Sequence, residues 1–265
     1  MEYFTLNNGV RIPVTGSGTN TFAKTPDRVY TGDLKDHLSA IKAGYRFFDT
    51  AEGYGNEEAL GNAVKESGIP RSEFFICTKM RTREQGHLGR KEAEAAIARS
   101  LAKLQTDVID LYLIHHYWGS DEEMIEVWKT FEEYCRKGVL RSIGVSNFTP
   151  ENLQVLMSHA EIMPAVNQVK MAPGNWNHET AAFCREHGMI PMAWGPLKTD
   201  EEAAAKVQMI GDAYGKTWAQ VLLRYHYQAG NISIPKSHSY EHQVQNLDIF
   251  DFELTPEECT AIEAL

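Results

Sequence analysis

Cysteine is sparse and scattered in this 265-residue chain: Cys77, Cys135, Cys184 and Cys259 lie far apart, and no two form a C-x-x-C pair. That spacing excludes a zinc knuckle and a thioredoxin-type redox motif and leaves ordinary reduced thiols. Basic charge is in deficit, with 26 Lys and Arg against 36 Asp and Glu and a formal net charge of −10. A field of that sign repels phosphate polymers and anionic lipid, so neither nucleic acid nor a membrane is expected as a partner. No apolar run nears the roughly 20 residues of a membrane span, and the opening Met1-Glu-Tyr-Phe-Thr has neither a basic nor an apolar export region. A cytoplasmic protein is expected. Linkers rich in Gly, Ser or Pro and long charge runs are missing too, so residues 1–265 read as a single domain. What is present is a globular composition, 43% apolar, 10% aromatic and 23% charged, which excludes a disordered or fibrous chain.

Segment types alternate to the end of the chain. Residues 3–13 hold two short extended runs around Asn7-Asn8-Gly9, and Asn-Gly predicts a hairpin because both residues tolerate positive φ. Apolar strand-like runs follow at 14–18, 45–49, 74–79, 109–115, 140–146, 165–169, 189–194 and 232–235. Between them lie helical patterns at 33–43, 57–66, 90–104, 122–137, 150–158, 179–187, 201–213 and 217–228. Strands too apolar for a solvent-facing sheet, separated by helices, predict parallel strands covered on the outside. The count and length fit an α/β fold, a (β/α)8 TIM barrel led by an N-terminal β-hairpin. A doubly wound sheet is the alternative, and it usually needs fewer strands or a longer chain.

In such a barrel the chemistry sits at the C-terminal ends of the strands. Those ends are polar here: Asp49 with Tyr54 close behind, Lys79, His115, Ser146-Asn147, Asn167-Gln168, Trp194 and Pro235-Lys236-Ser237. Any one of them is explained by loop solvation, but an acid, a base, an imidazole and a phenol on one rim are not. A phenol with a pKa near ~10 is a poor acid at neutral pH unless a cation stabilises the phenolate. Lys79 supplies such a charge, Asp49 orients it, and His115 can hydrogen-bond the same substrate oxygen. The group that takes up a proton as negative charge develops on oxygen is most simply a carbonyl undergoing reduction.

These residues resemble the aldo-keto reductase family over nearly the whole chain. The motifs are Gly44-Tyr-Arg-Phe-Phe-Asp49-Thr-Ala-Glu-Gly-Tyr54-Gly-Asn-Glu, Phe75-Ile-Cys-Thr-Lys79, Asp107-Val-Ile-Asp-Leu-Tyr-Leu-Ile-His115, Gly138-Val-Leu-Arg-Ser-Ile-Gly-Val-Ser146-Asn147-Phe and Ile234-Pro235-Lys236-Ser237. The resemblance implies reduction of aldehydes or ketones by hydride from NADPH, with NADH also admitted, by a monomer. It makes Tyr54 the proton donor, tuned by Lys79 and Asp49, with His115 orienting the carbonyl. Ser146, Asn147 and Gln168 would meet the nicotinamide carboxamide, and Trp194 would stack on its ring. Thr19, Asn20, Gly195, Pro196 and Leu197 complete the cofactor groove. Lys236 and Ser237 match residues holding the 2′-phosphate, and Gln245 and Asn246 match the adenine contacts. His242 stands where many NADPH-dependent members have Arg, which weakens the expected discrimination against NADH.

Asn20 and His116 occupy substrate-lining positions that are commonly aromatic in the family, so a polar, open pocket for a small carbonyl is expected, lined also by Tyr54 and His115. Gly16-Ser-Gly18 lacks the third glycine of a dinucleotide fingerprint, and Gly144-Val-Ser146-Asn-Phe is not a nucleophile elbow. A metal-dependent hydrolase built on Asp49, His115 and His116 is disfavoured, because adjacent strand residues point to opposite faces. No metal is expected. A catalytically weak nucleotide sensor on the same fold is the alternative function.

Overall fold

The computed structural model describes residues 1–82 and 88–265. Strands β1 (Tyr3–Thr5) and β2 (Arg11–Pro13) form the antiparallel hairpin, with Tyr3 opposite Pro13. Gly9 turns it at φ 83°, and Leu6 and Ile12 pack with Phe47, Phe75 and Val166 in the barrel interior. Asn7 and Asn8 donate to the main-chain oxygens of Pro164 and Arg141 at 2.9 Å, which ties the hairpin to the end of the barrel where the strands begin.

The barrel consists of β3 (Ser17–Gly18), β4 (Phe47–Asp49), β5 (Phe75–Met80), β6 (Leu111–Ile114), β7 (Ile143–Ser146), β8 (Val166–Lys170), β9 (Ile190–Trp194) and β10 (Ile232–Ile234). Each pairs with the next in parallel. A parallel bridge between Thr15 and Ser233, with Gly16 N–H on Ser233 O at 2.9 Å, brings β10 back to the first strand. The expected first strand at 14–18 is thus only two ladder residues long. A Cβ on Gly16 would meet the Phe47 ring at 2.3 Å, so the backbone runs against a core aromatic there.

Helices α1 (Lys35–Ala43), α2 (Glu57–Glu66), α3 (Arg90–Leu104), α4 (Asp121–Arg136), α5 (Pro150–His159), α6 (His178–Glu186), α7 (Glu201–Tyr214) and α8 (Trp218–Gln228) surround it. Their apolar faces and the outer strand faces form the larger core, including Leu60, Ile97, Trp128, Phe131 and Leu156. Strands β4 to β7 are buried along their whole length, which is why they read as continuous runs rather than alternating ones. Two further helices, α9 (Tyr240–Leu247) and α10 (Pro256–Glu263), were not expected from periodicity. Thr255 caps α10 in a reciprocal box with Glu258, and Ser239 caps α9. Among the described residues no helix is long and apolar enough to cross a membrane.

Candidate active site

Lys79 projects from β5 and is completely buried. Its Nζ donates to Asp49 Oδ1, to Asp49 Oδ2 and to Thr50 O, each at 2.8 Å, so all three ammonium protons have acceptors. Burial alone favours the neutral amine, but the Asp49 carboxylate, followed by Tyr54 and Cys77, holds the ammonium above the ordinary lysine range. Gln168, on β8 across the barrel, donates from Nε2 to Asp49 Oδ1 at 2.7 Å and so extends the pair into a triad. Sequence reasoning missed that link.

Tyr54 closes a single 3-10 turn, Glu52–Tyr54, directly after β4. The turn is anchored by Asn56, whose Nδ2 donates to Thr19 O at 2.6 Å and whose Oδ1 accepts from Thr50 Oγ1 at 2.8 Å. The phenol ring stands edge-on to His115 at 5.6 Å and 5.0 Å from Lys79 Nζ. Burial pushes the Tyr54 pKa above its usual value, while the Lys79 charge pulls it the other way. The net direction is opposite to the lowering that a neighbouring lysine suggests, because desolvation of the phenolate outweighs the cation. The hydroxyl therefore rests protonated, with a cation already beside it.

β6 ends at Ile114, so His115 and His116 lie beyond the strand and the expected alternation of faces does not apply to them. Their rings stack at 4.5 Å and 11°, and both line one cavity, which corrects the opposite-face argument. Among the described residues no three His, Cys, Asp or Glu side chains are grouped to hold a metal. Trp194 Nε1, which can only donate, gives its proton to Asn147 Oδ1 at 2.9 Å. The Asn147 amide is thereby oriented, and its Nδ2 faces His116 Nδ1 at 3.1 Å, making that nitrogen an acceptor. Asn147 adopts φ 59°, a left-handed conformation that Asn tolerates better than most residues, and its side chain joins Trp194 of β9 to the two histidines that follow β6.

The cavity over the strand ends measures about 350 Å³. Of the predicted residues it is lined by Thr19, Asn20, Asp49, Tyr54, His115, His116, Ser146, Asn147, Gln168, Trp194, Gly195 and Lys236. Lys79 lies behind this wall and acts on the cavity through Asp49 and Tyr54. A second cavity of about 210 Å³ gathers Leu197, Ser237, His242, Gln245 and Asn246, and Lys236 belongs to both. Pro196 is buried in the turn between them and lines neither. Arg28, Lys198 and Thr21 in the first cavity and Thr217 and Trp218 in the second were not foreseen. Lys236 Nζ donates to Thr21 Oγ1 at 2.8 Å. Its pKa is pulled down by burial and then by the nearby charges of Lys198 and Arg28. A crowded, partly desolvated cation of this kind fits an anionic ligand, and the adjoining Gln245 and Asn246 supply neutral hydrogen-bonding groups beside it.

Comparison with known proteins agrees with this geometry. A sequence profile described as the Aldo/keto reductase family matches residues 16–265. A glyoxal reductase of Bacillus subtilis is 40% identical over 261 residues, covering 98% of this chain and 91% of the relative. The crystal structure of an aldo/keto reductase from Brucella melitensis is similar with a TM-score of 0.90 at 35% identity, covering 99% of this chain and 98% of that one. An aldo-keto reductase of Bombyx mori, solved in complex with NADP, has a TM-score of 0.87 at 32% identity, covering 99% and 92%.

Proposed function

We propose, since this chain belongs to the aldo/keto reductase family, that it reduces small aldehydes or ketones to alcohols with a reduced nicotinamide dinucleotide, NADPH in preference to NADH. The observation that carries the reading is the buried Lys79–Asp49 pair set directly behind a half-buried phenol, with His115 against that phenol on the wall of a small cavity. The two cavities fit the dinucleotide: polar amides, an indole face and the Lys236 cation follow one another along them. When bound, the reduced nicotinamide supplies the hydride.

The chain's own residues do the rest. Ser146, Asn147, Gln168 and Trp194 would hold the nicotinamide end, and Lys236, Ser237, His242, Gln245 and Asn246 the adenosine end. His115 orients the substrate oxygen toward Tyr54. Tyr54 gives its phenolic proton to that oxygen, and the Lys79 ammonium stabilises the phenolate left behind. Asp49 keeps Lys79 charged and fixed, and Gln168 holds Asp49. Lys236 favours NADPH through the 2′-phosphate, while His242 lacks the fork of an arginine, so NADH remains usable.

The decisive experiment follows nucleotide absorbance with a panel of aldehydes and ketones, using NADPH and NADH in parallel. Replacing Tyr54 with Phe is expected to lower kcat by about 10²- to 10⁴-fold while leaving nucleotide affinity unchanged. Unchanged turnover in that variant would overturn the role of Tyr54. Nucleotide binding with no carbonyl consumed would favour the sensor reading instead.

A further inference from the structure

The connection between β3 and α1 folds back on itself. Thr31 N–H donates to Ala23 O at 2.8 Å, Thr25 N–H to Val29 O at 2.9 Å and Arg28 N–H to Thr25 O at 2.9 Å, and Lys24 bridges Tyr30 in antiparallel fashion. Residues 23–31 are thus a small hairpin whose tip is Thr25-Pro26-Asp27-Arg28. A turn followed by one left-handed residue is a common hairpin tip, and the left-handed place favours glycine. Here it is held by Arg28 at φ 64°. An L side chain is strained in that conformation, and such strain at the mouth of a site points to a use for the side chain.

Arg28 reaches the wall of the cavity that holds Tyr54. On the same cavity lie Lys236 and Lys198, the latter with its Nζ 5.3 Å from the Trp194 ring centroid. Among the described residues neither Arg28 nor Lys198 has an ion-pair partner. Three cations therefore face one space in a chain of net charge −10. Their mutual repulsion is felt at Lys236, and a bound anion would reverse it. Lys236 opens onto the second cavity, at the 2′-phosphate end. Arg28 and Lys198 line only the first; both are near enough to Lys236 to act on its charge, and Lys198 also reaches Trp194. The anion that a dinucleotide carries between its two ends is its diphosphate.

We propose that Arg28, presented by the hairpin of residues 23–31, clamps the dinucleotide diphosphate together with Lys198. The inference rests on the dinucleotide reading above and adds to it a phosphoryl site on the β3–α1 connection. Arg is suited to the task, because its planar fork meets two phosphoryl oxygens at once where Lys offers a point charge.

Fluorescence titration of wild type, Arg28→Gly and Arg28→Lys with NADPH and with NADH tests it, alongside thermal unfolding. Arg28→Gly removes the strained side chain, so its Tm should hold or rise by about 2–4 °C. Its Kd should nevertheless rise by about 10- to 100-fold, by the same factor for both nucleotides. Arg28→Lys should recover part of that loss. A folded Arg28→Gly with unchanged Kd for both would overturn the clamp. Weakened NADPH with unchanged NADH would overturn it too, moving Arg28 to the 2′-phosphate. So would unchanged nucleotide affinities with a raised KM confined to a phosphorylated aldehyde. A wild-type protein that binds neither nucleotide removes the cofactor reading itself, a result distinct from all of these.

Discussion

Asp49 ties Lys79, Gln168 and Thr19 into one network. Its carboxylate accepts both Lys79 contacts and the Gln168 amide, while its main-chain oxygen accepts from Thr19 N and Thr19 Oγ1 at 3.0 and 2.9 Å. Asp49→Asn would keep the shape but leave the fully buried Lys79 ammonium without its counter-charge. Breaking a buried pair in this way costs about 3–5 kcal/mol, and the expected fall in Tm is on the order of 10 °C. A calorimetric Tm within about 2 °C of wild type would mean that Lys79 sheds its proton or finds another acceptor. At this scale the residue types were legible in the sequence, because strand ends of a barrel share one rim and their chemistry is explicit. The partnerships were not. Gln168 meets Asp49 across the barrel, 119 residues away in the chain, and Arg28 reaches the cavity from a hairpin tip. Neither contact leaves a local pattern, and the His115–His116 stack depended on where β6 stops.

Elements deliver those residues only if the strands keep their spacing. Gly144, on β7, shows how little room there is: a Cβ there would meet Val166 O of β8 at 2.5 Å and Leu113 Cδ2 of β6 at 2.9 Å. Backbone cannot yield as a flexible side-chain tip can. Gly144→Ala is expected to cost about 1–3 kcal/mol by overpacking, visible as a lower urea midpoint with an unchanged m-value. A midpoint equal to wild type would show that β7 and β8 separate more easily than the packing implies. The eight strands were readable as apolar runs bounded by turns, and the major helices by their period. The helices α9 and α10 were overlooked, since eight residues give barely two turns in which a period can repeat. Their caps were the available signal. Thr255 followed by Pro256 and, three places on, Glu258 is a capping box with Pro at the first helical position. Ser239 marks α9, the helix that brings His242, Gln245 and Asn246 to the second cavity.

For the molecule as a whole, the acidic balance and the local cations answer to different distances. The net charge of −10 governs what approaches from solution, whereas Arg28, Lys198 and Lys236 act over one cavity. A third group of charges decides the response to acid. His37, on α1, packs edge-on against Phe22 at 5.1 Å, is wholly buried, and has no hydrogen-bond partner at either ring nitrogen. Burial lowers its pKa to about 4, and burial likewise lowers that of His226, on α8, to about 3. A histidine whose folded pKa is depressed contributes stability that is complete above its unfolded value near ~6.5 and is lost as pH falls toward the folded one. For His37 the full loss is on the order of 3 kcal/mol. Between pH 6.5 and about 5 few carboxylates have begun to protonate, so there the slope of stability against pH should approach two protons, about 2.7 kcal/mol per pH unit at most. Urea unfolding at several pH values measures that slope directly. His37→Leu removes one of the two titrating groups, and because neither nitrogen is hydrogen-bonded the apolar replacement strands no partner. The variant should fold and should lose about half of the acid slope in this window. An unchanged slope would assign the acid sensitivity to the remaining histidines and overturn the role given to His37.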